Sequence, residues 1–389
     1  MIEKKAFEMR EELISIRRRL HKTPETDFEE VKTSAFIRQK LEEYNIPYTT
    51  AAKTGTVALI KGKAGGKTVL LRADIDGLPI TDESDFEIKS ERAGYMHACG
   101  HDIHTACLLG AAKILNDMRG TLNGNVKLVF QPAEEGIGGA LPMINEGILE
   151  NPHVDGAFAL HVEPLENTGN IQIKNGSIMA SPDDFKIVIH GVGGHASAPQ
   201  DCVNPVTIGA AVIRELERLN QTVLKDAPCV MTVCYFNGGT CNNAIPQTAE
   251  IMGTARSLDN ETREMLIDLL ETTAAETAKK MGADIDFIFN KLFPPVVNDE
   301  QMNDIVCRGA KKLNCVKNIV TLDKPSMAGD DFSYFCERVP GAYFKLGVGN
   351  KEKGAVYPIH SPKFKADEDA IPIGAAVMAQ AAAEFLEVF

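Results

Sequence analysis

KTVLLR, Lys67 to Arg72, runs straight into ADIDGLPI, so a β-rich apolar stretch ends on two carboxylates, Asp74 and Asp76. A strand of this kind belongs in a mostly parallel sheet covered by helices on both faces. In open α/β sheets, ligands collect in the crevice beyond the carboxyl ends of the strands. The neighbouring sequence repeats the arrangement. Thr56 to Ile60 (TVALI), Asn125 to Phe130 (NVKLVF) and Gly156 to Leu160 (GAFAL) read as further strands, preceded by amphipathic helices to about Leu20 and from Val31 to Tyr44. Each strand stops where ionisable residues begin, which places Asp74, Asp76, Glu134, Glu135 and His161 to converge. The expected fold class is α/β, with a mostly parallel mixed sheet.

The rhythm changes between about Asp184 and Lys291. DFKIVIHG, a helix from Pro205 to Leu224, CVMTVCYF, TAEIMGTARSL, a helix from Glu261 to Met281 and DIDFIFNKL spell β-α-β-β-α-β, the split ferredoxin-like unit. Phe293-Pro294-Pro295 punctuates its end. Helix and strand patterns then resume, with GAYFKLGVG as a strand and an Ala-rich final helix. At 389 residues two cores are expected. The first domain is read as discontinuous, residues 1–183 and 293–389, around an insert at 184–292.

A formal net charge of -13 argues against a nucleic-acid binder, which needs clustered Lys and Arg. The run Arg17-Arg18-Arg19 reads as a solvated helix face. The first residues, MIEKKAFEMREEL, are charged throughout, and no later segment holds 18 uninterrupted apolar residues, so a cytosolic location without membrane insertion is expected. Nine cysteines without paired spacing fit reduced thiols better than a disulfide framework.

Chemistry concentrates in HACGHDIHTA, His97 to Ala106, which packs three His, one Cys and one Asp into ten residues. A thiolate at Cys99 and an imidazole at His101 can reach one metal centre from a turn entering a helix, and Asp102 could hold a ligand imidazole from behind. QPAEEG, Gln131 to Gly136, ends a strand on two adjacent carboxylates; one can bind metal while its neighbour addresses a water. Alone, paired Glu is more often a solvated loop. His161 closes GAFAL and His360 lies in YPIHSP; lone histidines are usually ordinary polar residues, and these count by position. With Cys99, His101 and one Glu they make five ligand candidates, more than one tetrahedral ion takes and suited to two ions sharing a bridge. Asp74 and Asp76 are either ligands or orient a ligand histidine. GVGGHASAP presents His195, NNAIP presents Asn243 and GTARSL presents Arg256; by themselves these are weak signals.

The series RRRLHKTPE, LRADIDGLPI, HACGHD, FQPAEEG, LHVEP, GGHASAP, NAIP, GTARSL, FSYF and IHSP, running nearly end to end, resembles the aminoacylase and carboxypeptidase G metallopeptidases, peptidase family M-twenty. Within it the chain is most similar to the amidohydrolase branch, subfamily D, of hippurate hydrolases, indole-acetyl-amino-acid hydrolases and N-acetyl-diaminopimelate deacetylases. The resemblance implies a catalytic α/β domain with two divalent ions (Zn, Ni, Co or Mn) and a lid domain through which the chain forms a homodimer. It makes Cys99, His101, Glu135, His161 and His360 the metal ligands, Cys99 the bridge, and Glu134 the acid/base, with Asp76 counted among the catalytic residues. His195 would help hold the scissile carbonyl in a partner's site, and Asn243 and Arg256 would grip the carboxylate of a small N-acyl amino acid. Carboxypeptidase-like relatives place a ligand His where this chain has Asp74. Two departures stand out: Ile103 where the branch has Gly, and AGDDF, Ala328 to Phe332, as a changed pocket wall. The implied reaction is hydrolysis of an amide bond, with dipeptide or carbamoyl-amide hydrolysis, or a non-catalytic metal-binding scaffold, as alternatives.

Overall fold

The computed structural model describes all 389 residues, which form two compact units. The first comprises Met1–Gly176, Val297–Lys324 and Asp331–Phe389. Its sheet has eight strands in the spatial order Tyr48–Ala51, Gly55–Lys61, Gly124–Gln131, Lys67–Asp74, Gly156–Asn167, Gly341–Gly349, Asn170–Ile173 and Asn318–Thr321. The four central strands are parallel, and antiparallel pairing enters on both sides through Gly55–Lys61 and Asn170–Ile173. Lys67–Asp74 is buried at every position after its first, as expected of a strand covered on both faces.

Two helices form the centre of the covering layer. His101–Asp117 is buried along nearly its whole length, and the Ala-rich Ala370–Val388 packs on it. Small residues let them approach closely: a Cβ added at Gly110 would lie 2.7 Å from Ala375 Cβ, and one at Gly374 would lie 2.5 Å from Cys107 Sγ. Ala370–Val388 is long and apolar enough to cross a membrane, but 83% of its apolar window is buried inside the protein, as for the central helix of a core.

The second helix, Arg10–His21, corrects the reading of the basic run. Arg17 is only 1% exposed, with its guanidinium 2.8 Å from Asp102 Oδ2 and 3.4 Å from Glu368 Oε1. Arg18 is half-buried and paired to Glu368, and only Arg19 is solvated. A charge so deeply buried persists only with partners on several sides, and Asp102 and Glu368 supply them.

The second unit comprises Ser177–Val296 and Pro325–Asp330. Its chain runs strand, helix, strand, strand, helix, strand, and the four antiparallel strands lie in the order Cys229–Gly238, Thr248–Ser257, Ser181–His190, Asp284–Asn290. Asn204 Oδ1 accepts the Val206 N–H at the start of Pro205–Gln221, and Asp259 Oδ1 accepts the Thr262 N–H at the start of Asn260–Lys280. Phe185, Ile187, Ile189, Val212, Leu216 and Leu270 fill the core beneath these helices. Buried Asp183 is paired with both Nε and Nη2 of Arg263.

Candidate metal centre

The first unit brings together the ends of strands Lys67–Asp74 and Gly124–Gln131, the middle of Gly156–Asn167 and two loops. Cys99 and His101 flank Gly100, whose φ of 85° is left-handed and whose added Cβ would meet Val162 Cγ2 at 2.6 Å. Only glycine fits a turn so tight against the neighbouring strand. Helix His101–Asp117 begins at once, which fixes His101 at its first turn. On the next strand end, Ala133 is held at φ 53°, its N–H donated to Glu30 Oε1 at 3.1 Å, while Glu30 Oε2 accepts the Thr54 hydroxyl at 2.6 Å. Two residues on, Glu135 N–H donates to Asp76 Oδ2 at 3.0 Å. These two backbone anchors aim Glu134 and Glu135. His360 also has a positive φ, 62°, held by its N–H on Ala98 O at 2.9 Å. Strained backbone of this kind persists where surrounding structure over-determines it.

Cys99, His101 and His161 offer ligand atoms within 4.8 Å of one another, and so do Cys99, Glu135 and His360. Cys99 Sγ is common to both groups and lies 3.3 Å from His161 Nε2. Glu135 Oε1 lies 3.1 Å from His360 Nε2 and 3.8 Å from His101 Nε2, and Glu134 Oε2 lies 3.9 Å from that same nitrogen. All five residues read as ligands from the sequence are therefore in one cluster, with Glu134 beside it.

The donor set fits transition-metal ions. His101 Nδ1 lies 3.1 Å from Asp76 Oδ1, so Nε2 is the free end of the ring; it is buried with no hydrogen-bond partner, an arrangement that leaves a desolvated polar atom uncompensated unless a ligand meets it. His161 Nδ1 donates to Val162 O at 2.7 Å, which leaves the Nε2 lone pair facing Cys99. A thiolate, imidazoles with their second nitrogen tied down, and a carboxylate make a recognised ligand combination for Zn, Ni, Co or related ions.

In the metal-free protein, burial and the charges of Glu135 and Glu134 push the Cys99 thiol well above its ordinary range. Burial works against a charged His101, but Asp74, Asp76 and Glu135 together outweigh it and hold its pKa up to about 10. Burial, first of all, holds His161 well below the ordinary histidine range. The site is thus a negative pocket that a proton on His101 partly neutralises, and a cation can take that role.

Several further groups build the floor of this pocket. Asp74 accepts Arg72 Nη1 at 2.6 Å and is paired with His104 Nδ1; despite burial, His101, Arg72 and His104 hold its carboxyl well below the usual range. Asp331, expected only as part of a changed pocket wall, is fully buried and accepts Arg72 Nη2, Gln131 Nε2 and Ala140 N–H. Asp102 does not orient His101. Its Oδ2 meets His21 Nδ1 at 2.8 Å and Arg17, and Asp76 faces His101 instead. Ile103 is buried in the core.

His195, Asn243 and Arg256 all belong to the second unit. Gly194–His195 pairs with Ala244–Ile245, and Ala196 N–H donates to Asn243 O at 3.1 Å, so the first two are neighbours, both exposed. Ser197 N–H donates to His195 Nδ1 at 3.1 Å, so the neutral ring carries its proton on Nε2. Arg256 lies on Thr248–Ser257 across from Val230 and Pro182, half-buried, and burial lowers its pKa despite nearby Asp183.

Comparison with known proteins fits this site. Residues 70–384 match the model for peptidase family M20/M25/M40. The chain is 38% identical to a thermostable carboxypeptidase of Saccharolobus solfataricus, covering 97% of this chain and 96% of the relative. It is 36% identical to an N-acetylcysteine deacetylase of Bacillus subtilis, covering 98% of each. A solved Bacillus subtilis structure, described as a dinuclear metal binding peptidase of the M20 family, superposes with a TM-score of 0.87 at 33% identity, covering 98% of this chain and 99% of the other. This chain belongs to peptidase family M20/M25/M40 and is an amide hydrolase.

Proposed function

We propose that the protein hydrolyses the amide bond of N-acyl amino acids, releasing a carboxylic acid and a free amino acid. The observation that carries this is the position of Glu134 beside a cluster in which Cys99 belongs to two ligand groups and His101 Nε2 is buried without a partner. Cys99, His101, Glu135, His161 and His360 would hold two divalent ions, with Cys99 as the shared thiolate. Such ions supply Lewis acidity and lower the pKa of water.

The chain's own residues do the rest. Glu134 takes a proton from the attacking water as its oxygen bonds to the acyl carbon, then returns it to the amide nitrogen as the C–N bond breaks. Asp76 keeps His101 turned to the cluster. His195, with its proton on Nε2, donates to the developing oxyanion. Asn243 and Arg256 grip the substrate's α-carboxylate, so N-acyl amino acids are preferred over their methyl esters. The domain carrying the cluster is residues 1–183 with 293–389, and residues 184–292 form a lid that also joins two copies in a homodimer.

Glu134→Gln tests the central assignment. Turnover is expected to fall roughly 100- to 10,000-fold with metal content retained. A variant that keeps most of its turnover rate removes Glu134 from the acid/base role. The substrate is tested by metal-dependent release of free amino acid from N-acetyl, N-benzoyl and indole-acetyl amino acids and N-acetyl-diaminopimelate. The carboxypeptidase relative favours a second reading, hydrolysis of peptides at a free C-terminus. Faster cleavage of peptides than of every N-acyl amino acid would establish it.

A further inference from the structure

We propose that His104 is a positioning residue for His161: it fixes the backbone on which the His161 ring is hung, and so decides whether that ring can hold metal. This rests on the reading of the cluster as a metal site. HACGHDIHTA carries three histidines, and the function above uses only His101.

The argument starts at a strand end. Lys67–Asp74 pairs with Gly156–Asn167 only as far as Arg72 opposite Ala159. Beyond that point His161 and Val162 have no strand neighbour on that side, and Val162 is buried, so its N–H needs an acceptor from elsewhere. His104 Nε2 supplies it, at 2.9 Å. Helix His101–Asp117 brings the ring there, one turn past His101.

The contact dictates the state of the ring. A nitrogen that accepts a backbone N–H holds a lone pair, so the His104 proton sits on Nδ1, facing Asp74 Oδ1. Asp74 is kept ionised for this by Arg72, and its backbone carbonyl accepts the Thr105 hydroxyl at 3.2 Å, so the acceptor is itself fixed. Val162 is then pinned at both ends: its N–H by His104 and its carbonyl by His161 Nδ1 at 2.7 Å. His161 Nε2 is left pointing at Cys99 Sγ. The two rings also lie against one another, tilted by 59° with centroids 4.5 Å apart, which limits rotation of His161. Asp74 touches both arms of the device, since its Oδ2 lies 3.7 Å from His101 Nε2.

His104→Phe keeps the ring and removes both hydrogen bonds, whereas His104→Gln offers an amide donor to Asp74 and an oxygen to Val162 N–H. Metal titration of each purified full-length variant with Zn, followed by metal analysis, separates them. His104→Phe is expected to bind one ion roughly 10- to 100-fold more weakly than the parent and the other within about threefold, while His104→Gln stays within about threefold at both. Parent-like binding of both ions by His104→Phe overturns the inference, and so does a His104→Gln loss as large as that of the Phe variant. Should the Phe variant not fold, imidazole nitrogen NMR of the metal-free parent decides. The Nδ1–H form of His104 is expected, and the Nε2–H form rejects the inference. A parent protein that takes up no pair of ions would instead sink the metal-site reading itself.

Discussion

The cluster in the first unit and the His195 region in the second are held in place by opposite means. His101, Asp74, Asp76 and His161 are all buried, and each is oriented by a named partner, so the cluster is part of the core's own hydrogen-bonding network. His195 and Asn243 are exposed, on a two-residue strand pairing and a turn, and His195 leans only on its neighbour Ser197. Removing a group from the first region therefore disturbs folding and chemistry together. Removing one from the second leaves the fold nearly untouched.

The largest effect expected from this contrast comes from buried ion networks, and one in each unit serves for the comparison. Asp331→Ala strips Arg72 of a carboxylate and leaves Gln131 Nε2 and Ala140 N–H unsatisfied, a loss of about 3–5 kcal/mol. Asp183→Ala strips Arg263 and the Leu292 N–H in the same way and costs a similar amount. The two differ in their effect on the cluster: Asp331→Ala weakens metal uptake, because the Arg72 guanidinium that braces Asp74 loses one of its anchors, whereas Asp183→Ala does not. Urea unfolding with metal analysis on both variants checks this. Equal metal loss in the two would dissolve the contrast.

Metal removal is the next largest. With free metal at a hundred times its Kd, binding stabilises the folded state by about 2.7 kcal/mol. Hydrogen exchange should slow on metal addition at Glu135 and Val162, whose amides are bonded to groups of the cluster's surround, and stay unchanged at Ile251 in the second unit's core. Protection spread evenly over both units would contradict the picture of a local site.

A smaller effect lies in acid. His97 is buried with neither ring nitrogen partnered, and burial holds its pKa down to about 3, against which Asp102 acts only partly. Its folded pKa is below that of an unfolded histidine, so between about pH 3 and 6.5 the unfolded chain binds more protons and stability falls as pH falls. In the metal-free protein, His97→Leu should flatten the acid limb of denaturant-derived stability by up to about 1.4 kcal/mol per pH unit within that window. An unchanged slope would show that His97 titrates normally.

How much of this could be read from the sequence tracks the same division. Strand ends rich in ionisable residues, and a Cys and His two apart, carry their signal locally, so the parallel sheet and the cluster of Cys99, His101, Glu135, His161 and His360 were legible. Asp102 was not, because it is adjacent to His101 on a helix and adjacent helical side chains diverge by about 100°; it faces Arg17 and His21 instead. Arg17 defeats an amphipathic pattern for a related reason: the pattern treats every charge as outward, and only the partner 85 residues along the chain at Asp102 makes an inward one tolerable. Asp331 is 200 residues from Gln131, and nothing in AGDDF marks that its carboxylates are buried.

The smallest stability effect is expected at His195, and it is the one that isolates function from fold. His195→Gln removes an exposed ring whose local contacts are the Ser197 amide and hydroxyl, so unfolding free energy should stay within about 0.5 kcal/mol of the parent. If the ring donates from Nε2 to the oxyanion, losing it should cost roughly 100-fold in kcat with metal content unchanged, the scale of a single oxyanion donor. Because the glutamine amide keeps a donor, His195→Ala should lose still more turnover at the same stability. A His195→Gln protein as active as the parent would leave the exposed region without a chemical task. One that lost stability along with turnover would place His195 with the buried cluster, on the other side of the contrast.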